Sequence, residues 1–488
     1  MIQEFNLGRY PKDKKGRRMA GGRIVRLEKE PTWENIADSI NEDTAGRNAE
    51  LVAFIEMLQC IDGPYTVMLD APWGEGKTFF VKSAQCIMNA LNGSQLSEVD
   101  VHDSRIKKVI EALSEHDRPT FLALYFNAWD NDDAEDPISA LFAALASQLG
   151  QDYLTKQPEL EKWLLKVVDA AVGAISPLKS CATGIHNALS GKDLIEAYRQ
   201  RAKLREAIAS MAENGSLEVA DRLVIFIDEL DRCRPDFAVR LLEQVKSLFQ
   251  SENIITVFSA DSVQLSKAMA GVYGGGYASQ RFLERFFDYR VTLPPCDAFR
   301  VVTGREFKTS AMSRFDELEI ELLKSRELTP RDVMRLLPKF DGARRYAKRC
   351  LGRDNYFYDL CLADMVATCA FLPVLIFIQR ENSELFRSIT LGTDFDSLYE
   401  EGRKYPAFVD AVRESIGALR RNSPGNPSGP TEEEIERYVH DLCLVIFSPD
   451  ASGEKVKSTR QKLGIYENSF PAEVYKALSF PIAQDDDT

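Results

Sequence analysis

The stretch from Tyr65 to Val81 constrains this chain more than any other. Tyr65-Thr66-Val67-Met68-Leu69 is an apolar, β-rich run; Asp70-Ala71-Pro72-Trp73-Gly74-Glu75-Gly76-Lys77-Thr78 follows at once, and Phe79-Phe80-Val81 opens a helical pattern. A strand that turns through glycines straight into a helix aims consecutive main-chain amides at a polyanion, aided by the positive end of the helix. In that geometry Lys77 reaches the β and γ oxygens of a triphosphate, and the Thr78 hydroxyl ligates magnesium. Pro72, Trp73, Gly74, Glu75, Gly76 and Phe79 complete the expected nucleotide-binding loop. The usual first glycine is replaced by Ala71, which the turn tolerates if its φ is negative. Trp73 is expected to pack at the loop base or to lie beside the nucleotide.

A lone Gly-Lys-Thr says little, but four further strand-like segments place it in a fold. Phe121–Phe126, Leu223–Ile227, Ile254–Phe258 and the shorter Tyr289–Leu293 are separated by helical patterns. Strand, crossover, strand implies a parallel sheet with helices on both faces. The third segment ends in Asp228-Glu229, so two carboxylates stand at the C-terminal edge of that sheet, where ligands of such folds bind. Asp228 is expected to hold magnesium and Glu229 to accept a proton from the attacking water. Ser259 and Asp261, ending the fourth segment, are placed to contact the γ-phosphate or that water. Before the fifth, Arg281 and Arg285 are expected on one helical face at i, i+4 spacing, where an arginine can reach a neighbouring subunit's nucleotide or simply pair with Glu284 or Asp288.

With 488 residues the chain is too long for a single core. Residues 1–44 are expected as a basic flexible arm, since the first thirty carry nine Lys or Arg (Lys12, Lys14, Lys15, Arg17 and Arg18 among them) against four acids. Residues 45–300 form the nucleotide-binding core, with a helical insertion at about 137–220; 301–421 form a helical, lid-like domain and 431–488 a C-terminal helical segment. Thr329 and Pro330 start one helix in that region, and Thr431 with Glu434 forms a capping box for another, beyond the Pro/Gly/Ser linker at 422–430.

Asp plus Glu exceed Lys plus Arg by 75 to 61, a net charge of −14, which disfavours wrapping of nucleic acid by the whole surface and leaves only the basic arm for it. Nine cysteines without a Cys-x-x-Cys pair read as reduced thiols, and four scattered histidines support neither zinc nor a histidine triad. No secretory signal is visible. The longest apolar run, Met365 to Ile378, is too short to span a bilayer and reads as a buried helix pair, so a cytoplasmic location without a transmembrane span is expected.

The strings Ala71-Pro72-Trp73-Gly74-Glu75-Gly76-Lys77-Thr78, Phe126-Asn127-Ala128-Trp129, Ile227-Asp228-Glu229-Leu230-Asp231-Arg232-Cys233 and Phe258-Ser259-Ala260-Asp261 occur in this order. Between about Ala45 and Pro295 the chain thereby resembles the KAP family of P-loop NTPases. The resemblance implies a three-layer α/β fold of the additional-strand (ASCE) class, near AAA-type and STAND ATPases, with ATP and Mg2+ as ligands. It adds Asn127, Trp129, Asp231 and Arg232 to the active-site edge. It sets Arg285 where relatives carry a basic residue before the last strand, and makes Arg331 similar to the sensor arginine of a lid. Many relatives carry transmembrane helices in the insertion; this insertion lacks them.

By that resemblance the chain is expected to be an oligomerising ATPase, a homo-oligomer that activates a partner in a bacterial anti-phage defence system. Residues 296–488 contain no effector chemistry, so an effector protein encoded nearby is implied. Two alternatives stay open: a nucleotide-gated scaffold that holds an effector with negligible hydrolysis, and a nucleic-acid-remodelling ATPase acting through the basic arm.

Overall fold

In a computed structural model of the chain, the described residues are 30–61, 63–92, 102–114, 119–149, 202–208, 220–274, 279–296, 314–324, 328–352, 362–420, 429–448 and 452–465, with isolated positions at 162, 167, 199 and 298. They fall into two compact units, Lys29–Gly304 and a second built from Arg305–Thr488.

The first unit is organised by five parallel strands, β1 (Tyr65–Asp70), β2 (Phe121–Asn127), β3 (Arg222–Asp228), β4 (Ile254–Ala260) and β5 (Tyr289–Thr292). Their spatial order is β2-β3-β4-β1-β5, so β4 is inserted between the strand that feeds the glycine loop and the strand that ends in the twin acids. This is the additional-strand arrangement, and all five expected strands are present. The register sets Asn127 beside Asp228 and Asp228 beside Ser259 along one rim.

Period-two alternation divides the strand side chains between two cores. Val224 and Phe226 of β3 join Val67, Leu69, Ile255 and Val257 on one face, under α1 (Trp33–Glu42), α2 (Asn48–Cys60), α3 (Lys77–Leu91) and α4 (Lys107–Ser114). Leu223, Ile225 and Ile227 point the other way, to α5 (Pro137–Leu149), α6 (Pro235–Leu248), α7 (Ser262–Tyr273) and α8 (Ser279–Leu283). A strand buried on both faces cannot slip by one residue without exchanging its contacts with both helical layers, so the rim residues are held in register.

Two sequence expectations need correction here. The flexible arm does not extend to residue 44. α1 begins at Trp33 after Thr32, whose hydroxyl caps Asn35, and Ile36, Ala37 and Ile40 are buried in the core, because its apolar positions recur at helical spacing. The basic residues 1–29, and with them the expected nucleic-acid arm, lie outside the described residues. Nor do Arg281 and Arg285 share a helical face. α8 ends at Leu283, and Arg285 sits in a tight turn whose amides at Arg285 and Phe286 donate to Phe282 O and Leu283 O. That turn is imposed by an aromatic cluster, Phe282 against Phe286 and Phe287 against Phe258, and by Asp288, which pairs with the Thr66 backbone to start β5. Of the insertion at 137–220, α5 and residues 202–208 are helical; most of the remainder lies outside the described residues.

The second unit is helical among its described residues. The apolar run expected as a helix pair is instead one continuous stretch, Leu362–Val366, a π turn at Ala367–Phe371 and Leu372–Glu381. The wide turn precedes Pro373, whose ring and missing N–H would disrupt a regular ladder. Thr329 and Asp332 cap the helix Pro330–Gly352, and the capping box at Thr431 and Glu434 is formed. No helix among the described residues is long and apolar enough to cross a membrane. The residues 422–428 of the expected linker lie outside the described residues.

Candidate nucleotide site

The glycine loop leaves β1 at Asp70 and enters α3 at Lys77. Gly74 and Gly76 have φ of 93° and 82°, a left-handed conformation that an L side chain resists, while Ala71 is not in that region, so alanine fits there. Lys77 is buried. Its Nζ donates to Ala71 O at 2.6 Å and Pro72 O at 3.2 Å, and burial lowers its pKa although Asp231, Asp228, Asp261 and Asp70 all favour the ammonium. Glu75 does not face outward: with Arg47 it forms a buried ion pair at 3.3 Å. Arg47 also donates to Glu75 O at 2.6 Å and to Pro294 O, tying the loop to the start of α2 and to the chain leaving β5. Trp73 is half exposed, and its Nε1 donates to Asp231 Oδ2 at 2.5 Å. Thr78 is partly buried at the first turn of α3 and Phe79 lies beside it; Pro72 is exposed.

The opposite wall is the sheet rim. Asp228 is 1% exposed; its Oδ2 accepts from the Tyr125 hydroxyl at 3.1 Å, and its Oδ1 is buried without a partner among the described residues. Burial, then the Asp228 charge, pushes the Tyr125 hydroxyl well above its ordinary range, so it stays a donor. Ser259 is fully buried and its Oγ also has no partner. Two adjacent orphaned oxygens at a strand edge are what a cation and a phosphate would satisfy. Asp228, with Thr78 from the loop, therefore fits a magnesium ion by donor chemistry.

Glu229 is a non-glycine residue at φ 59°, a conformation costing on the order of 1–2 kcal/mol. Its amide donates to Ser259 O, and its carbonyl accepts from Arg232 N as the chain winds into the short turn Leu230–Arg232. Burial raises its carboxyl pKa; Arg232 opposes this, while Asp228, Asp231 and Asp130 add to it. Asp231 is raised by burial as well and accepts from Asp261 N at 2.8 Å, so one carboxylate joins the loop, through Trp73, to the end of β4. The Asp261 carboxylate itself caps α7, accepting from Val263 N and Gln264 N. Asn127 closes the turn after β2: its side chain donates to Asp130 and accepts from Trp129 N, and Ala128 N donates to Asp228 O.

Residues 30–353, well over half of the chain, match the KAP family P-loop domain. The chain belongs to the KAP family. No curated protein matches it significantly in sequence. Among solved structures it is similar, at 12% identity and a TM-score of 0.26, to the Aeropyrum pernix ORC2 protein in its ADPNP-ADP complexes, over 90% of this chain and 94% of that one. C. elegans PCH-2 matches at 12% identity and a TM-score of 0.20, over 78% and 73%. Scores this low leave the fold assignment of this KAP domain on its sheet order and the family match.

The expected site residues Lys77 and Thr78 thus stand at the start of α3, Asp228, Glu229 and Asp231 at and just beyond the end of β3, and Ser259 and Asp261 at the end of β4. Arg232 stands beside Glu229. Arg281 and Arg285 are exposed, and neither forms an ion pair with a described residue. Arg331 belongs to the first helical turn of Pro330–Gly352 in the second unit.

Three contributors were missed from the sequence. Tyr125 had a usable signal, since it lies two residues before Asn127 and so shares its face of β2. Asp70 ends β1, accepts from Ser262 N and pairs with Arg290 of β5 beneath the loop; an acid closing a buried strand could have flagged it. Arg47 gave none, lying in a polar stretch between helices.

Proposed function

We propose that this chain binds ATP with magnesium in the cleft between the glycine loop and the rim of β3 and β4, and hydrolyses it. What carries the reading is the pair of buried oxygens, Asp228 Oδ1 and Ser259 Oγ, without a partner among the described residues, at the rim of the sheet whose first strand leads into the Gly74–Gly76 loop and Lys77. The loop amides and Lys77 bind the phosphates; Lys77 exchanges the Ala71 and Pro72 carbonyls for phosphate oxygens, which as anions are the stronger acceptors. Thr78 and Asp228 would hold the magnesium ion, which supplies neutralisation of charge on the transferred phosphoryl group. Glu229, its basicity supported by burial, accepts the proton of the attacking water. Tyr125 keeps Asp228 oriented. Asp261 fixes the N-terminus of α7 rather than offering that carboxylate oxygen to phosphate.

The wider role, an oligomer that switches an effector protein in anti-phage defence, rests on the family resemblance alone. Arg285 and Arg281, exposed and without ion pairs among the described residues, are the side chains through which a neighbouring copy's nucleotide would be reached, and Arg331 is proposed as the sensor of the second unit. Steady-state phosphate release by the purified chain tests the central reading. Release that needs magnesium and falls about 100-fold or more in Glu229→Gln, with ATP still bound, is the expected result. Binding of ATP without release from the wild type would leave the nucleotide-gated scaffold instead.

A further inference from the structure

The turns that follow β2 and β3 meet beside Glu229. Arg232 Nη2 lies 3.0 Å from Glu229 Oε1, and the same guanidinium stands over the indole of Trp129, 5.4 Å from its centroid. Both partners of the ion pair are mostly shielded, at 25% and 16% side-chain exposure, so solvent does not dissolve the contact as it would at a free surface. Trp129 itself is 49% exposed and reaches Arg232 only because its own turn is fixed. Asn127 accepts from its amide, Ala128 N donates to Asp228 O, and Asp132 accepts from Arg234 N at 3.0 Å, which fastens the β2 turn to the β3 turn on both sides of the stack.

Glu229 needs such a fixture. Its backbone is in the left-handed region, where the side chain leaves the rim in a direction that an ordinary strand residue does not take, and no other described side chain forms an ion pair with its carboxylate. A carboxylate with free χ angles samples many positions, and a base displaced by about 1 Å loses on the order of 10² in rate. Resting on the hydrolysis reading above, we infer that Arg232 is a positioning residue that holds the Glu229 carboxylate for the attacking water, and that Trp129 holds Arg232 in turn. A guanidinium suits both tasks at once, since one nitrogen pairs with the carboxylate while its delocalised charge lies over the indole; an ammonium, a compact point charge, can do the first and only part of the second.

The test is steady-state ATP hydrolysis with magnesium by the full chain and six variants. Arg232→Ala is expected to lower kcat by about 10- to 100-fold with KM for ATP changed less than about 3-fold, because the loop that binds the phosphates is untouched. Arg232→Lys recovers part of the loss. Trp129→Ala lowers kcat several-fold and Trp129→Phe keeps most of it. Because Arg232 acts through Glu229, adding Arg232→Ala to Glu229→Gln leaves the residual rate of Glu229→Gln where it was. Wild-type kcat in Arg232→Ala overturns the inference while leaving hydrolysis standing, as does a further drop in the double variant or a rise in KM matching the fall in kcat. Should Arg232→Ala not fold, Arg232→Lys and Trp129→Ala decide in the same way, unchanged rates overturning it. A wild type without turnover overturns the hydrolysis reading and this inference together.

Discussion

The two walls of the site differ in how their polar groups are satisfied. On the loop wall both charged side chains are already engaged, Lys77 with the Ala71 and Pro72 carbonyls and Glu75 with Arg47, and the Trp73 indole donates to Asp231 of the opposite wall. On the rim wall Asp228 Oδ1 and Ser259 Oγ are buried with nothing to bond. Burying an unpaired hydroxyl or carboxylate oxygen costs about 1–3 kcal/mol or more, so the rim carries a penalty on its acceptor oxygens, while on the loop wall the orphaned atom is the Arg47 Nε donor. The difference teaches where ligand selectivity resides. The loop must give up internal bonds to take a phosphate, an exchange that only a strong anion makes favourable, whereas the rim loses its penalty as soon as a cation or donor arrives.

That contrast breaks most visibly at Lys77. Its ammonium is held only by two carbonyls and is disfavoured by burial, so Lys77→Ala removes little from the fold and the largest part of the phosphate grip. Two or three charge-assisted bonds suggest an ATP affinity loss of about 4 kcal/mol, roughly 10³-fold, with an unfolding midpoint near that of wild type. Equilibrium titration with ATP beside thermal denaturation reads both. A midpoint that collapses along with affinity would make Lys77 a structural group of the loop and erase the contrast.

Arg47 should behave in the opposite way. Removing it strands Glu75 in a buried position and cuts the ties to Glu75 O and Pro294 O, so Arg47→Ala is expected to destabilise the first unit by about 3 kcal/mol. Denaturant unfolding measures it, and Arg47→Lys should recover only part, because an ammonium lacks the fork that reaches these acceptors. A loss under about 1 kcal/mol would show that the loop wall is held by its glycine conformations alone.

How much of this was readable beforehand follows the range of the forces. The five strands and the twin acids were legible because buried parallel strands are continuous apolar runs and their ends are abrupt changes of polarity, as at Ile227-Asp228. The position of Lys77 and Thr78 at the start of a helix was legible because glycine spacing encodes a backbone shape. The role of Glu75 was not, since its partner Arg47 is 28 residues away and no local period links them. Arg281 and Arg285 were misread as one helical face because Phe286 and Phe287 turn inward, a tertiary preference that outweighs local helical pattern. Asp261 read as a phosphate contact because cap and ligand use the same residue type at a strand end.

Ser259 gives the smallest effect and the sharpest form of the comparison. Its hydroxyl is fully buried on β4 between the Asp228 and Leu69 positions of the neighbouring strands, with no hydrogen-bond partner among the described residues. Alanine differs from serine there by that oxygen alone, so Ser259→Ala removes an unsatisfied polar atom and leaves a space smaller than a methyl group. The folded state should therefore gain a few tenths of a kcal/mol, up to about 1 kcal/mol, while ATP turnover falls several-fold, the signature of a polar group kept for its ligand at the expense of the fold. Urea unfolding and phosphate release on the same preparation measure the two arms. Were the variant less stable by 1 kcal/mol or more with turnover unchanged, the Ser259 oxygen would be serving the sheet, and the rim wall would hold no group in reserve for a nucleotide except Asp228.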